Sequence, residues 1–304
     1  MFKQYIDNLV LNLDKKLEPQ QIDIVLEGGI NNGYYELGIL LFLKEMEKRG
    51  FITVNRISGV SIGSLMGLHY LNNSLEQAID MYSSFKKYFK EHLNLYVYKE
   101  ELEKIKKIIS DETFEKIKND RFFVTTIDYV NKNQILYKNY KNKDDLIDCI
   151  YKSCYIPTII GEDTLYKGKY IDGIFPHIFK NREKTSKQKI LYIHINQLNR
   201  FQSMFSIKEK TMNGRILEGI LDCYNFFLYK KPSYYCNYVN NWSLLDFFKL
   251  RMKELLIIIL VYSILLIINI SKLLFPFVSK LKICSYIVIM LRTIKNDILI
   301  KSCF

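Results

Sequence analysis

The chain has 304 residues, 49% hydrophobic and 25% charged, with 13 glycines and 5 prolines. That length supports one large domain with a real core, and the composition excludes a disordered, fibrous or low-complexity chain. The net charge of +12 suits nucleic acid or an anionic membrane; no zinc-finger, helix-turn-helix or RNP-like pattern supports nucleic acid. Cys149, Cys154, Cys223, Cys236, Cys284 and Cys303 show neither CxxC nor Cys/His ligand spacing. No disulfide scaffold, metal site or cofactor is expected, and the thiols read as reduced and cytosolic.

Residues 1–19 read as an N-terminal extension containing a short amphipathic helix. Their apolar runs are too short for a signal peptide, being broken by Asp7 and Asn8. The first strong element is a strand over Ile22–Leu26, followed by the glycine-rich loop Gly28 to Gly33. A helix follows, with Leu40, Leu43 and Met46 on its buried side and Gly50 where a C-terminal glycine belongs. ITVNRIS (52–58) predicts a second strand, GVSIG (59–63) a sharp turn, and SLMGLHYL (64–71) a helix. This strand–helix–strand–helix opening predicts an α/β fold, a parallel sheet with helices on both faces.

Further along, 74–90 and 99–110 predict charged amphipathic helices with one solvated side. RFFVTTIDY (121–129) and NQILYKNY (133–140) predict paired strands. A helix is expected over 144–154, ending before Ile156-Pro157, then a hairpin over 164–173 turning at Gly168, then a strand over 189–198. The catalytic unit is drawn at residues 20–200, with a helical or irregular extension at 201–250. Residues 251–304 change character. Eight Lys/Arg stand there against Glu254 and Asp297, and Leu255 to Ser271 run 17 residues without a charge. At about 1.5 Å per residue that run measures about 25 Å, just short of a ~30 Å hydrocarbon core. With LLFPFVS (273–279) and ICSYIVIML (283–291) behind it, this segment is expected to associate with a membrane, by spanning it or by lying in its interface. Cations on both sides leave the orientation open.

Three blocks carry chemistry. In Gly59-Val60-Ser61-Ile62-Gly63 a serine sits between glycines, after a strand and before a helix. Such a tight strand-to-helix turn needs residues without Cβ on either side. It pushes the hydroxyl out at a helix N-terminus, where free N–H groups favour negative charge. The loop Gly28-Gly29-Ile30-Asn31-Asn32-Gly33 offers bare backbone N–H groups that can hold a phosphate or a tetrahedral oxyanion. It is no dinucleotide fingerprint: the third required glycine is Ile30, and Ile52 to Ser58 contain no acidic residue. Asp172-Gly173 on its own reads as a turn, but a serine nucleophile needs a base. His69 and His92 read as structural. His177 and His194 follow Asp172, so a Ser…Asp…His order is available.

Together, VLEGGINNGYYELGILLFLKE, GVSIG and SCYIPTII…YIDG resemble the patatin-like phospholipase family, over roughly Asp23 to Phe179. The resemblance implies a three-layer sandwich with a mainly parallel central sheet, to which this chain adds a helical apolar C-terminal tail. It implies a lipid acyl hydrolase working with a Ser–Asp dyad and no metal, cofactor or catalytic histidine. Carried over residue by residue, Ser61 attacks the acyl carbonyl of a phospholipid or related glycerolipid, and Asp172 is the general base. The oxyanion hole falls to backbone N–H groups of Gly28, Gly29, Ile30 and Ile62, and Gly33, Gly59, Gly63 and Gly173 are the motif glycines. The chain departs from the family pattern at Ile30 (glycine), Asn32 (Arg or Lys) and Ile174 (Gly or Ala). A protein of this kind is expected at a membrane, with its catalytic domain in the cytosol, and removal of the tail is expected to harm activity on bilayers more than on soluble esters. Two other readings stand beside it: a catalytically weak or inactive membrane scaffold, favoured by Ile30 and Asn32, and an ordinary Ser-Asp-His esterase using His194. Oligomeric state is not legible.

Overall fold

The computed structural model describes residues 2–13, 19–180, 188–197, 203–204, 206 and 211–278. The apolar run 283–291, Cys284 and Cys303 lie outside them. Strands β1 (Gln20–Leu26), β2 (Ile52–Val60), β3 (Phe122–Asp128), β4 (Asn133–Tyr137), β5 (Tyr170–Asp172), β6 (Lys189–Ile193) and β7 (Cys236–Tyr238) form one sheet in the order β4-β3-β2-β1-β6-β7, with β5 also on β3. The central strands β3, β2, β1 and β6 are parallel, and the additions at the edges are antiparallel. Parallel strands buried on both faces lack a polar side, and β3 is buried at every position.

Alternation along the strands divides the core in two. Ile22, Ile24 and Leu26 of β1, Phe122 and Val124 of β3, and Leu191 and Ile193 of β6 meet one helical layer. That layer holds α1 (Lys3–Leu11), α2 (Gly33–Lys48), α3 (Ile62–Leu71), α4 (Leu75–His92), α5 (Tyr98–Ile108), α6 (Asp111–Lys118), α7 (Lys143–Ser153) and α8 (Asn213–Tyr229). Val25, Phe123, Ile190 and Tyr192 face the other way. There they meet α9 (Leu244–Val278), through Leu250, and the segment around Phe179. The result is the α/β three-layer arrangement.

Gly50 has φ +78 immediately behind α2, and Gly168, at φ +66, turns a tight hairpin between Tyr166 and Tyr170, both as the sequence predicts. Helix α6 was not predicted; it is capped by the Ser110 hydroxyl, which accepts from the N–H of Thr113. Residues beyond 200, read from sequence as an extension, supply α8 against α2 and β7 on the sheet edge. The helix predicted to begin the tail starts earlier, at Leu244, and lies on the sheet.

Candidate active site

The register on β3 explains why residues distant in sequence meet. Val60, last of β2, pairs with Thr125, while Asp172, last of β5, pairs with the next residue, Thr126. β2 and β5 therefore approach head to head along one edge of β3. Ser61 leaves the end of one as Asp172 leaves the end of the other. The Ser61 hydroxyl lies near the Asp172 carboxylate, and the N–H of Ile174 donates to Asp172 Oδ1 at 2.8 Å. Burial pushes the Asp172 carboxyl up to about 6, and the neighbouring Ser61 hydroxyl and the Ile174 N–H only partly offset it.

Ser61 has φ 52 and ψ −129 at the N-terminus of α3, the strained turn the glycine spacing predicts. A Cβ on Gly59 would lie 2.5 Å from the Gly63 carbonyl oxygen, and one on Gly63 would lie 2.6 Å from that of Glu27. Two hydroxyls hold the strain in place. The N–H of Ser61 donates to Ser153 Oγ at 2.9 Å, and the Ser64 hydroxyl donates to the Ser61 carbonyl at 2.6 Å. The end of α7 also reaches the other side of the site: the Ser153 carbonyl accepts from Gly173 at 3.2 Å and that of Tyr155 from Asp172 at 3.0 Å. One helix terminus thus fixes Ser61 and Asp172 relative to each other. Cys154 sits behind them, accepting from the Tyr98 hydroxyl at 2.9 Å; burial pushes its thiol up to about 12, so it is a neutral packing group.

The glycine loop lies against the serine. A Cβ on Gly28 would stand 3.0 Å from Ser61 Cβ and 3.7 Å from its Oγ. Among the described residues the N–H groups of Gly28, Gly29, Ile30 and Ile62 donate no hydrogen bond. Ile30 takes the left-handed φ of 46, so the missing glycine costs strain and not the turn. Asn32 is fully buried and its side-chain N–H donates to the Ile195 carbonyl at 3.0 Å. Arg215 of α8 reaches the same loop and donates to the Asn31 carbonyl at 3.3 Å. Gly33 packs under Tyr82, where a Cβ would be 1.8 Å from the phenol oxygen.

Behind the loop, Glu27 accepts from the Tyr192 hydroxyl at 2.8 Å and pairs with His194 Nδ1 at 2.9 Å and Lys253 Nζ at 3.1 Å. Burial would raise its carboxyl, but His194 and Lys253 with the Asn196 N–H bring it down to about 2. Glu36, in the first turn of α2, is fully buried without a partner among the described residues, and burial beside Glu27 holds its carboxyl well above the usual range. His194 is therefore engaged by Glu27, and His177 stacks on Phe123. Neither has Ser61 or Asp172 among its partners in the described residues, unlike the arrangement a Ser-Asp-His esterase would need. His69 is bound to Ser74, and burial brings it down to about 4.

A cavity of roughly 850 Å³, counted to its open mouth, runs from Ser61 and Ile30 between α4 and the 156–160 turn, walled by Tyr82, Phe85, Phe89 and Ile159. Its lining is almost wholly apolar. Ser153, Tyr98 and Arg215 escaped the sequence reading because nothing local marks them. Only the SCYIP stretch, already quoted for its resemblance, pointed near one of them. No cluster of metal-ligating side chains occurs among the described residues.

A family model described as patatin-like phospholipase matches residues 24–175. Among solved structures, VipD from Legionella pneumophila is similar at 13% identity over 57% of this chain and 49% of VipD, with a TM-score of 0.31. The chain spans about half the length of that protein. No curated protein matches it.

Proposed function

The chain belongs to the patatin-like phospholipase family, and from that premise we propose that it is a lipid acyl hydrolase cleaving carboxylic ester bonds of phospholipids or related glycerolipids. The observation that carries the reading is the meeting of β2 and β5 on consecutive residues of β3, which sets Ser61 beside a half-buried Asp172 next to an apolar cavity. Asp172 takes the hydroxyl proton as Ser61 Oγ attacks the ester carbonyl. The free N–H groups of Gly28, Gly29, Ile30 and Ile62 receive the oxyanion. Collapse of the tetrahedral intermediate expels the glycerol hydroxyl of the lysolipid, which takes the proton back from Asp172 and leaves the acyl group on Ser61. Asp172 then takes a proton from water, whose oxygen attacks the acyl-enzyme, and returns that proton to Ser61 Oγ as the fatty acid leaves. The reading draws on no metal or cofactor, and the cavity suits one acyl chain. The cationic, apolar residues 251–304 suit a membrane surface, and buried free Cys149, Cys154, Cys223 and Cys236 suit a reducing cytosol.

The test is hydrolysis of phospholipid and short-chain ester by the full chain. Ser61→Ala and Asp172→Asn are each expected to lower the rate by about 10³-fold or more, while His177→Ala and His194→Ala retain turnover. Loss with either histidine variant alone would instead support a triad. Folded wild-type protein showing no Ser61-dependent fluorophosphonate labelling would favour the inactive scaffold.

A further inference from the structure

Between Leu255 and Ile270, α9 is uncharged and, apart from Ser263 and Asn269, apolar or aromatic, yet its sides meet different surroundings. One stripe packs on the sheet. Leu250 joins Val25, Phe123 and Tyr192, while Val261 and the almost fully buried Leu265 join Ile127, Ile171 and Ile174. The Tyr262 ring lies 5.1 Å from that of Tyr129. Leu250 and Leu265, about 22 Å apart along the axis at 1.5 Å per residue, therefore rest on the same sheet face. Between these two residues the axis runs along the domain. The opposite stripe is bare: Leu256 is 63% exposed, Leu260 51% and Ile267 65%.

We propose that this outward stripe is a membrane-docking face that lies in the plane of an anionic lipid surface, so that α9 does not cross the bilayer over residues 255–270. Several observations select lipid as the occupant. The stripe is built of Leu and Ile without the aromatic and arginine content typical of a protein interface core. Its hydroxyl, Ser263, donates to the Ile259 carbonyl at 2.8 Å and so needs no water. Lys249 and Arg251 precede the stripe and Lys272 follows it, as cations do at an anionic interface. The other side of the helix adjoins the proposed site. Ile174, whose N–H holds Asp172, is in the cluster with Val261 and Leu265, and Lys253 pairs with Glu27 just before the glycine loop. Docking holds the domain at a lipid surface. The purpose of docking rests on the hydrolase reading; the docking itself does not.

The test uses the full chain with Trp242→Phe, removing its one tryptophan, and single reporters Leu256→Trp, Leu260→Trp and Ile267→Trp. Vesicles of phosphatidylcholine and phosphatidylglycerol carry bromine at graded acyl depths. All three reporters are expected to be quenched at one shallow depth, about 5–10 Å below the headgroups. Depths differing between 256 and 267 by about 16 Å, the helical rise between them, would show a crossing helix and overturn the proposal. Absence of quenching would overturn it too, with a doubled mass in solution identifying a second copy as the cover. As a second arm, Leu256→Asp with Ile267→Asp, which touch no sheet residue, should cut vesicle co-sedimentation tenfold or more with an unchanged thermal melt; undiminished binding overturns the proposal. Soluble-ester turnover in this variant reports on Ser61 separately, so a protein that docks without hydrolysing would sink the enzymatic reading and leave docking intact.

Discussion

Ile30 and Ile174 hold φ of 46 and 60, a region where a β-branched side chain is strained by about 1–3 kcal/mol. Both flank the proposed dyad, one in the glycine loop and one donating its N–H to Asp172. The backbone thus keeps the family's shape without the family's glycines, and surrounding packing carries the strain. Asp172 is the residue whose chemistry depends most on this enclosure. As a base it acts ionised, so with its carboxyl pushed up to about 6, kcat/KM on a soluble ester is expected to rise as pH climbs through about 6 and level off above. Below that point it should fall tenfold per pH unit. The same burial works against the fold. A carboxyl with a raised folded pKa holds its proton longer in the native state, so its stabilising share is complete below the usual carboxylate range and is lost as pH rises through about 6. Asp172→Asn should therefore melt above wild type at pH 8, with the margin closing toward pH 4. A flat margin, or activity independent of pH between 5 and 7, would count against Asp172 as the base.

At the scale of elements, the pattern of glycines outside the motifs proves informative. Helices α2 and α8 cross at Gly38 and Gly219: a Cβ on Gly38 would lie 2.0 Å from the Ile216 carbonyl oxygen, and one on Gly219 would lie 2.0 Å from that of Tyr35. Alanine inside a helix ordinarily gains about 0.5–1 kcal/mol over glycine. Here overpacking, typically about 1–3 kcal/mol, should win, and Gly219→Ala is expected to lower the thermal midpoint by several degrees. An unchanged or higher midpoint would mean that the helices part without cost. The same crossing lets Arg215 reach the glycine loop at Asn31. The sequence shows Asn32 in place of a basic residue; the arginine that reaches the loop stands on a helix some 180 positions downstream, beyond the reach of any motif.

For the whole molecule, the layer over the second sheet face is supplied by the segment that reads as a membrane tail. Because Leu250, Val261 and Leu265 cover Val25, Phe123, Ile127 and Ile171, removing the helix bares the core. Loss on soluble esters is therefore expected as well as on bilayers, unlike the selective loss expected from sequence. A paired substitution separates the two sides of the helix. Leu265 is 2% exposed and Leu266 57%, so Leu265→Ala should cost about 2–5 kcal/mol and Leu266→Ala no more than about 0.5 kcal/mol, read from denaturant unfolding. Equal costs would mean that α9 is not seated as described.

The strands, the tight turn around Ser61 and the glycine loop were legible in the chain because their causes are local: short apolar runs and sterics within a few residues. Asp172 was legible as a member of a motif, but its place beside Ser61 comes from β2 and β5 meeting on consecutive residues of β3. The grip of Ser153 on both partners spans 92 positions to Ser61. The facing of α9 was hidden for another reason. An uncharged, almost wholly apolar helix carries no periodic mark of which side meets protein, so packing against the sheet alone assigns its two faces.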